Sequence, residues 1–314
     1  MTKLRISIVE YLNTAPLVWG FTDGPLAGRY DCSFTVPSKC AEALRKGDVD
    51  VAIIPAIEYQ RIENIVLLPE MCVAAKGEVR SILVIARKPI ELAKRVALDT
   101  SSRSSAALVQ LLCRNFWGIS PEFVPAQPDP SAMLANADAA LVIGDPALRI
   151  AVKLEQLAEK KPNGEFCCGG DPNDQAVPGV DSLYVYDVAH QWREMTALPC
   201  VLAVWAVRRE AVTPELIADF MASKTFGMAN ISDIAEGAAL KLDLPARSLE
   251  RYLRENIDFH LSAENIAGLE LYYKLSAEAG LIPHAKPIEF AFTKNSGTDT
   301  DSQDAETGKV IQNR

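Results

Sequence analysis

The N-terminal part of the chain repeats a strand–helix–strand pattern, and no other feature of the sequence restricts the fold as strongly. Leu4–Val9 alternates as a strand, and residues 31–37 form a second strand pattern that ends in proline. A helix capped by Ser38 and ended by Gly47 follows, and the apolar run 48–55 is then a buried strand. Strands that alternate with helices pair in parallel through right-handed crossovers. The pattern therefore predicts an α/β fold, in which ligands bind at the carboxyl ends of the strands.

Further strand and helix patterns divide the chain into two lobes. Arg87-Lys88-Pro89 interrupts the pattern after the strand 81–86. A strongly apolar strand at 200–207 follows the point where the chain is expected to return to the first lobe. The expected boundaries are residues 1–86 and 197–292 for a discontinuous first lobe, 87–196 for a second lobe, and 293–314 for a polar, disordered tail. A first lobe interrupted by a second is the pattern of periplasmic-binding-protein-like folds of the second type, in which the ligand lies in a cleft between the lobes.

A cluster of hydroxyl groups lies where one of the predicted strands passes into a helix. Residues 96–98 are a short apolar strand, and residues 106–112 have helical spacing. Between them, residues 99–105 carry one carboxylate, five hydroxyls and one guanidinium. The free N–H groups and the dipole of a helix N-terminus favour an anion, and hydroxyls add donors. Because one hydroxyl is enough to cap a helix, the surplus indicates a site for a phosphate or a carboxylate.

Three further strand ends carry residues that can contact a ligand. Asn13 follows the first strand, and it is either a helix-capping residue or a ligand contact. Pro55 and Ala56 end the buried strand of the first lobe. Gly144 and Asp145 follow an apolar strand of the second lobe. Asp145 is either a general base or a helix cap, and the proline after it favours the cap.

Composition restricts the class of partner. The formal net charge of −9 at pH 7 argues against a nucleic-acid-binding protein, which would need a basic surface, but it allows a small anionic ligand in one local pocket. No apolar run is long enough for a membrane-spanning helix. The segment Met1–Glu10 is strand-like and unlike a signal peptide, and the seven cysteines are odd in number and lack a CxxC pair. We therefore expect a cytoplasmic protein with reduced thiols.

Several short segments are recognisable when they are taken together. They are 10–17, 47–59, 77–81, 97–105, 144–148, 192–199, 252–260 and 268–273. In this order they resemble the chorismate dehydratase family, which catalyses the first step of the futalosine route to menaquinone. The resemblance covers about residues 4–290. It implies the two-lobed fold and a carbon–oxygen lyase that converts chorismate to 3-[(1-carboxyvinyl)oxy]benzoate and water.

The implied reaction can be compared with the residues present. Chorismate is a dianion that loses a ring proton and the neighbouring hydroxyl, so its enzyme must bind carboxylates, assist the departing hydroxyl and exclude water. None of the three histidines, His190, His260 and His284, lies in a predicted strand-end loop. Asn13 and Ser81 can donate to an oxygen, but neither titrates near neutral pH. The enolpyruvyl carboxylate of the substrate can itself supply the base, as the resemblance also implies, and no metal or other cofactor is expected.

The predicted catalytic residues are accordingly Asn13 and Ser81. The predicted substrate-binding residues are Pro55, Ala56, Thr100, Ser101, Ser102, Arg103, Ser104, Ser105, Gly144 and Asp145. Arg103 has two interpretations, because it can neutralise a substrate carboxylate or pair with Asp99 across the loop. The role of Arg80 is open in the same way.

Two other functions share these features. The family that makes 1,4-dihydroxy-6-naphthoate later in the same route has the same fold, but it carries a histidine in the second lobe's strand-end loop, where this chain has Ile143-Gly144-Asp145. A solute-binding protein that captures a small anion would share the cleft and the hydroxyl-rich loop. Such a protein ordinarily carries a signal peptide or a lipid-attachment cysteine near its start. The sequence therefore favours the dehydratase over both.

Overall fold

The structure, a computed structural model, describes residues 3–160 and 183–291. Its strands are β1 Arg5–Val9, β2 Asp31–Thr35, β3 Val51–Pro55, β4 Ile65–Ala75, β5 Ile82–Ala86, β6 Arg95–Asp99, β7 Glu122–Ala126, β8 Ala139–Ile143, β9 Tyr184–Asp187 and β10 Cys200–Arg208. Its α-helices are α1 Ala15–Thr22, α2 Pro37–Lys46, α3 Arg103–Asn115, α4 Pro130–Asn136, α5 Gly144–Lys160, α6 Val188–Thr196, α7 Pro214–Ala229, α8 Ile231–Leu242, α9 Ala246–Arg251 and α10 Ala263–Glu278. The predicted tail over 293–314 lies outside the described residues. Among the helices of the described residues, none combines the length and the apolar character that crossing a bilayer requires.

Two five-stranded sheets form the two lobes and repeat one strand order. The first sheet is β2-β1-β3-β10-β4 and the second is β7-β6-β8-β5-β9. In each sheet the first three strands are parallel, and the fourth (β10 or β5) runs antiparallel to its neighbours. Strands β3, β5 and β8 are buried along their whole length, as expected for sheets that helices cover on both faces. The predicted α/β fold is confirmed.

The chain crosses between the sheets twice, and the first crossing lies earlier than predicted. Because β4 belongs to the first sheet and β5 to the second, the crossing is at 76–81, and the boundary expected at residue 86 is one strand too late. The apolar sequence of β5 suits a buried strand of either sheet, so it does not indicate which sheet it joins. Arg87-Lys88-Pro89 ends β5 inside the second lobe, before a 3₁₀ turn at Ile90–Leu92. The return lies at 197–199, between α6 and β10.

A partly buried carboxylate, that of Asp187, ties the first crossing to α6, the helix that precedes the second crossing. Asp187 accepts the backbone N–H groups of Val79 and Arg80 at 3.1 and 2.6 Å, and it also caps the first turn of α6. Arg80 has a φ of 62°, a left-handed conformation that costs a non-glycine residue about 1–2 kcal/mol. The two hydrogen bonds hold this strained residue in place, directly before Ser81.

Of two serines near helix N-termini, one caps its helix and the other does not. Ser262 caps α10 by accepting the Asn265 N–H, as serine commonly does at a helix N-terminus. Ser38, however, is not the N-cap of α2, because the helix begins one residue earlier, at Pro37. Proline suits the first helical position, since it has no N–H that would need a partner.

Candidate active site

The strand ends that were predicted to carry the site meet in a small cavity between the lobes. Its polar lining consists of Tyr11, Asn13, Thr14, Ser81, Ser102 and Ser105. Pro55 and Gly144, which were also predicted, contribute backbone and apolar surface. Most of these residues follow β1, β3, β6 and β8, so the parallel strands of the two sheets place them on facing edges.

Asn13 and Ser81 come from different lobes and share one buried phenol. The Tyr252 hydroxyl donates to Ser81 Oγ at 2.8 Å, and the Asn13 side chain also hydrogen-bonds to Tyr252. Tyr252 is 1% exposed, and burial raises the pKa of its phenol. Asn13 lies inside the 3₁₀ turn Leu12–Thr14 and caps neither this turn nor α1. Its interpretation as a helix cap is therefore wrong.

Ser102 and Ser105 form the hydroxyl side of the cavity, at the N-terminus of α3. Ser102 Oγ caps the helix by accepting the Ser105 N–H at 3.3 Å, and it donates to Ser105 Oγ at 2.9 Å. The Ser105 hydroxyl therefore keeps its own proton for another acceptor. Both serines are buried. The dipole and the unpaired N–H groups of this helix favour an anion here.

Three of the predicted substrate-binding residues join the lobes instead of lining the cavity. In three places a backbone N–H of the first lobe donates to an acceptor of the second lobe, at 3.0–3.1 Å. The pairs are Leu12 with the Asp145 carboxylate, Ser38 with the Ser101 carbonyl, and Ile57 with Ser104 Oγ. These three bonds are the closure contacts. Each donor lies in the first turn of a helix or of a 3₁₀ turn, where the N–H groups have no partner inside the helix. The second lobe thus satisfies three N-terminal donors of the first.

Arg103 also joins the lobes. Its guanidinium pairs with Glu58 at 2.9 Å and with Glu42 at 3.1 Å, both in the first lobe. The pairing with Asp99 that the sequence allowed is not formed, because the Asp99 carboxylate accepts the N–H and the hydroxyl of Ser101 instead. In this conformation the charge of Arg103 is therefore directed at carboxylates of the protein.

Ala56, Thr100 and Arg80 contribute no side chain to this cavity. The Ala56 carbonyl accepts a hydroxyl from α10, and Thr100 is exposed. Arg80 lines a separate cavity of about 480 Å³ together with Arg251 and Glu155. Because Glu155 pairs with both arginines there, we assign the candidate site to the smaller cavity, where hydroxyls and an amide converge.

The cavity between the lobes has a volume of about 40 Å³, which is room for about one water molecule. Small-molecule sites usually measure about 300–1,000 Å³. The structure is therefore a closed conformation, and a larger ligand can enter only when the lobes move apart.

The cavity offers neutral donors rather than cations. Among the described residues that line it there is no lysine, arginine or histidine. Asp145, just outside the lining, is half-buried, and burial raises the pKa of its carboxyl, while the Leu12 N–H lowers it less. Within the described ranges, no three His, Cys, Asp or Glu side chains are grouped so that they could hold a metal ion. An anion in this cavity would be held by N–H groups, hydroxyls and the dipole of α3.

Sequence reasoning assigned no role to two tyrosines at the site. The Tyr11 ring packs so closely on Gly144 that a Cβ on this glycine would lie 2.7 Å from it. Tyr252 begins the π-helical turn Tyr252–Asn256, directly after α9. Its partner Ser81 is 171 residues away in the chain, so no local pattern could reveal the contact. The π turn is the only local sign, and it is a feature of the backbone that the residue pattern does not show.

The sequence is similar to those of known proteins over most of its length. The sequence model of a family described as menaquinone biosynthesis matches residues 4–278. The chorismate dehydratase of Thermus thermophilus is 28% identical over 288 residues, and the match covers 91% of this chain and 98% of that protein. The similarity therefore spans both lobes and all the residues that line the cavity.

Solved structures show the same fold. A crystal structure of a protein from Archaeoglobus fulgidus matches with a TM-score of 0.67 at 18% identity, over 89% of this chain and 98% of that chain. The periplasmic aliphatic sulphonate binding protein of Escherichia coli matches with a TM-score of 0.54 at 17% identity, over 98% and 97% of the two chains. Together with the strand order of both sheets, these matches confirm the periplasmic-binding-protein-like fold.

Replacing Gly144 with alanine should strain the closed conformation. Its φ of 67° disfavours any side chain, and the new Cβ would meet the Tyr11 ring. We expect the free energy of unfolding to fall by about 2–4 kcal/mol, from backbone strain and from overpacking together. Gly118→Ala is the matched control, because Gly118 has a φ of 66° with no atom near its Cβ position. Gly118→Ala should lower the free energy of unfolding only by the backbone strain, about 1–2 kcal/mol. Urea unfolding measures both, and equal losses would show that the contact with Tyr11 is unimportant.

Proposed function

The chain belongs to the menaquinone-biosynthesis family, and we propose that it is a chorismate dehydratase, like its relative from Thermus thermophilus. The reaction would convert chorismate to 3-[(1-carboxyvinyl)oxy]benzoate and water. The observation that carries the proposal is the convergence of Asn13 and Ser81, from separate lobes, on one enclosed cavity beside the N-terminus of α3. This arrangement offers donors for a leaving oxygen and for a carboxylate in a space that excludes water.

The proposed step removes a proton and a hydroxyl from adjacent ring carbons. The electron pair of the C–H bond becomes a ring double bond, while the C–O bond breaks and its electrons leave with the oxygen. The enolpyruvyl carboxylate of the substrate takes the ring proton and passes it to the departing hydroxyl, which leaves as water, so the substrate and the product are both dianions. Because the ring becomes aromatic, the elimination is strongly downhill. The protein has to orient the substrate and exclude water rather than supply a strong base.

Four of the six polar side chains that line the cavity have a role in this step. The Asn13 amide donates to the leaving hydroxyl, and the Ser81 hydroxyl holds a substrate oxygen. Ser102, Ser105 and the N-terminal N–H groups of α3 bind a carboxylate. Fixed donors of this kind stabilise developing charge most strongly when closure of the lobes has removed water.

The absence of a well-placed base among the described residues supports a substrate base. None of His190, His260 and His284 lines the cavity. The Asp145 carboxylate is turned towards the Leu12 N–H, which it accepts at 3.1 Å. The enolpyruvyl carboxylate, which lies next to the ring proton in the substrate itself, is then the nearest acceptor.

The purified protein should convert chorismate to an aromatic product without added metal or nucleotide. The product can be identified by its ultraviolet spectrum and by mass spectrometry. Treatment with EDTA should leave the rate unchanged, because every role in the proposed step belongs to the chain or to the substrate. A rate that EDTA abolishes and a divalent metal restores would contradict the proposed step. Tight binding of chorismate without turnover would indicate a solute-binding protein instead.

Ser105→Ala should weaken chorismate binding by about 1–3 kcal/mol, because a charged group loses a donor. Helix α3 keeps its cap, since the Ser102 hydroxyl accepts a backbone N–H. The control is Ser104→Ala, because the Ser104 hydroxyl accepts the Ile57 N–H in the closed form and does not line the cavity. It should change the binding free energy by less than about 1 kcal/mol. Calorimetric titration with chorismate measures both, and the reverse order would place the substrate carboxylate at Ser104.

Asn13→Ala should lower kcat by about 10²–10³-fold, the usual effect of losing one preorganised donor, while chorismate still binds. Asp145→Asn should keep most of the activity, because the amide oxygen can still accept the Leu12 N–H. Steady-state kinetics together with equilibrium binding tests both. If Asp145→Asn lost several orders of magnitude in kcat with binding intact, Asp145 would be the base and the substrate-assisted mechanism would be wrong.

A further inference from the structure

Tyr252 is a fully buried residue beside the site, and the mechanism above gives it no role. It belongs to the first lobe, and its hydroxyl reaches Ser81, the last residue before the second sheet, at 2.8 Å. It does not line the cavity, although both of its side-chain partners, Ser81 and Asn13, do. The phenol therefore lies behind the two predicted catalytic residues and can act on a ligand only through them.

The hydrogen bond from Tyr252 to Ser81 determines where the Ser81 hydroxyl can donate its own proton. A serine hydroxyl has one proton and can accept through its lone pairs. Because Ser81 Oγ accepts from Tyr252, its own proton must be donated elsewhere. The Ser81 carbonyl already accepts the Gly144 N–H at 2.8 Å, so the backbone of Ser81 is also fixed. The hydroxyl lines the cavity, and its proton is therefore available to an oxygen of the ligand.

Other buried tyrosines of the same lobe show that this contact is not simply a buried phenol finding a partner. The hydroxyls of Tyr59, Tyr272 and Tyr273 donate to the backbone carbonyls of Pro287, Ser104 and Ala56, at 2.8–3.1 Å. A carbonyl satisfies a buried hydroxyl fully. Tyr252 instead donates to a hydroxyl that lines the cavity. It also begins a π-helical turn, a rare distortion that is frequent at functional sites.

We propose that Tyr252 is a positioning residue that directs the Ser81 proton towards the substrate oxygen; this inference rests on the proposed function. The hydroxyl of Tyr252 joins the first lobe to Ser81, at the end of the first crossing between the sheets. The bond holds the Ser81 hydroxyl with its proton towards the cavity.

The test is Tyr252→Phe, which keeps the ring and removes the hydroxyl. With chorismate as substrate, kcat should fall about tenfold, the usual value of one hydrogen bond, while KM changes less than about twofold. In a Ser81→Ala background, Tyr252→Phe should cause a smaller further loss, because Ser81, through which it acts on the substrate oxygen, is already absent and only its contact with Asn13 remains. Tyr59→Phe is the matched control. Its phenol is equally buried and donates to the Pro287 carbonyl, so its removal should leave kcat unchanged.

Each result decides the question. A full kcat in Tyr252→Phe, or an unchanged kcat with a raised KM, would overturn the positioning role. An equal loss in the Ser81→Ala background would show that Tyr252 acts on the fold in general, and unfolding of Tyr252→Phe beside a folded Tyr59→Phe would show the same. If the unaltered protein failed to turn over chorismate, the proposed function itself would be wrong. That failure is distinguished from the others because it needs no variant.

Discussion

Unpaired N–H groups at helix N-termini control how the two lobes meet. A helix leaves its first N–H groups without partners, and burial makes that costly unless another acceptor is supplied. In the first lobe the N–H groups of Leu12, Ser38 and Ile57 are in this position, and the second lobe supplies a carboxylate, a carbonyl and a hydroxyl. The polar residues of the strand-end loops are therefore explained first by the need to close the cleft. Only those that remain unused by closure, together with the capping pair Ser102 and Ser105, are left for a ligand.

The closed conformation has a consequence for binding. The closure contacts and the pairing of Arg103 with Glu58 and Glu42 are already formed, and the cavity that they enclose holds about 40 Å³. A ligand the size of chorismate must therefore bind an open form and then support a closed one that differs in detail from this. The free energy of its contacts has to exceed that of the contacts it displaces, since a ligand shifts a conformational equilibrium only by its differential affinity. The two neutral closure contacts, Ser38 with Ser101 and Ile57 with Ser104, are individually worth about 1 kcal/mol, which suits a cleft that has to reopen after each cycle.

The sequence predicted the elements and failed at contacts between distant segments. Strand and helix periodicity is local, so the parallel strands and the loops at their ends could be predicted, and with them Asn13, Pro55, Ser102, Ser105 and Gly144, which line the cavity. The sheet that β5 joins depends on partners far along the chain, which explains why the first crossing was placed too late. The residue types of Ser104, Asp145 and Arg103 suit a ligand contact as well as a contact with the other lobe. Only the packing of the two lobes directs them at Ile57, Leu12 and Glu58. Tyr252 is the extreme case, since its partner lies on the other lobe.

The neutral character of the cavity fits the base that the proposed mechanism requires. A cation beside a carboxylate favours its charged form, lowers its pKa and so makes it a weaker base. If the enolpyruvyl carboxylate has to take the ring proton, a lysine or an arginine against it would slow the step that it is needed for. Two of the three serines that line the cavity provide an alternative, because Ser81 and Ser105 each accept from a neighbouring hydroxyl and keep a proton to donate. Oriented hydroxyls can hold a substrate in place while reducing its basicity less than a full positive charge does. Arg103, the cation of the hydroxyl-rich loop, is instead paired with carboxylates of the first lobe, and this pairing keeps its charge away from the substrate's base.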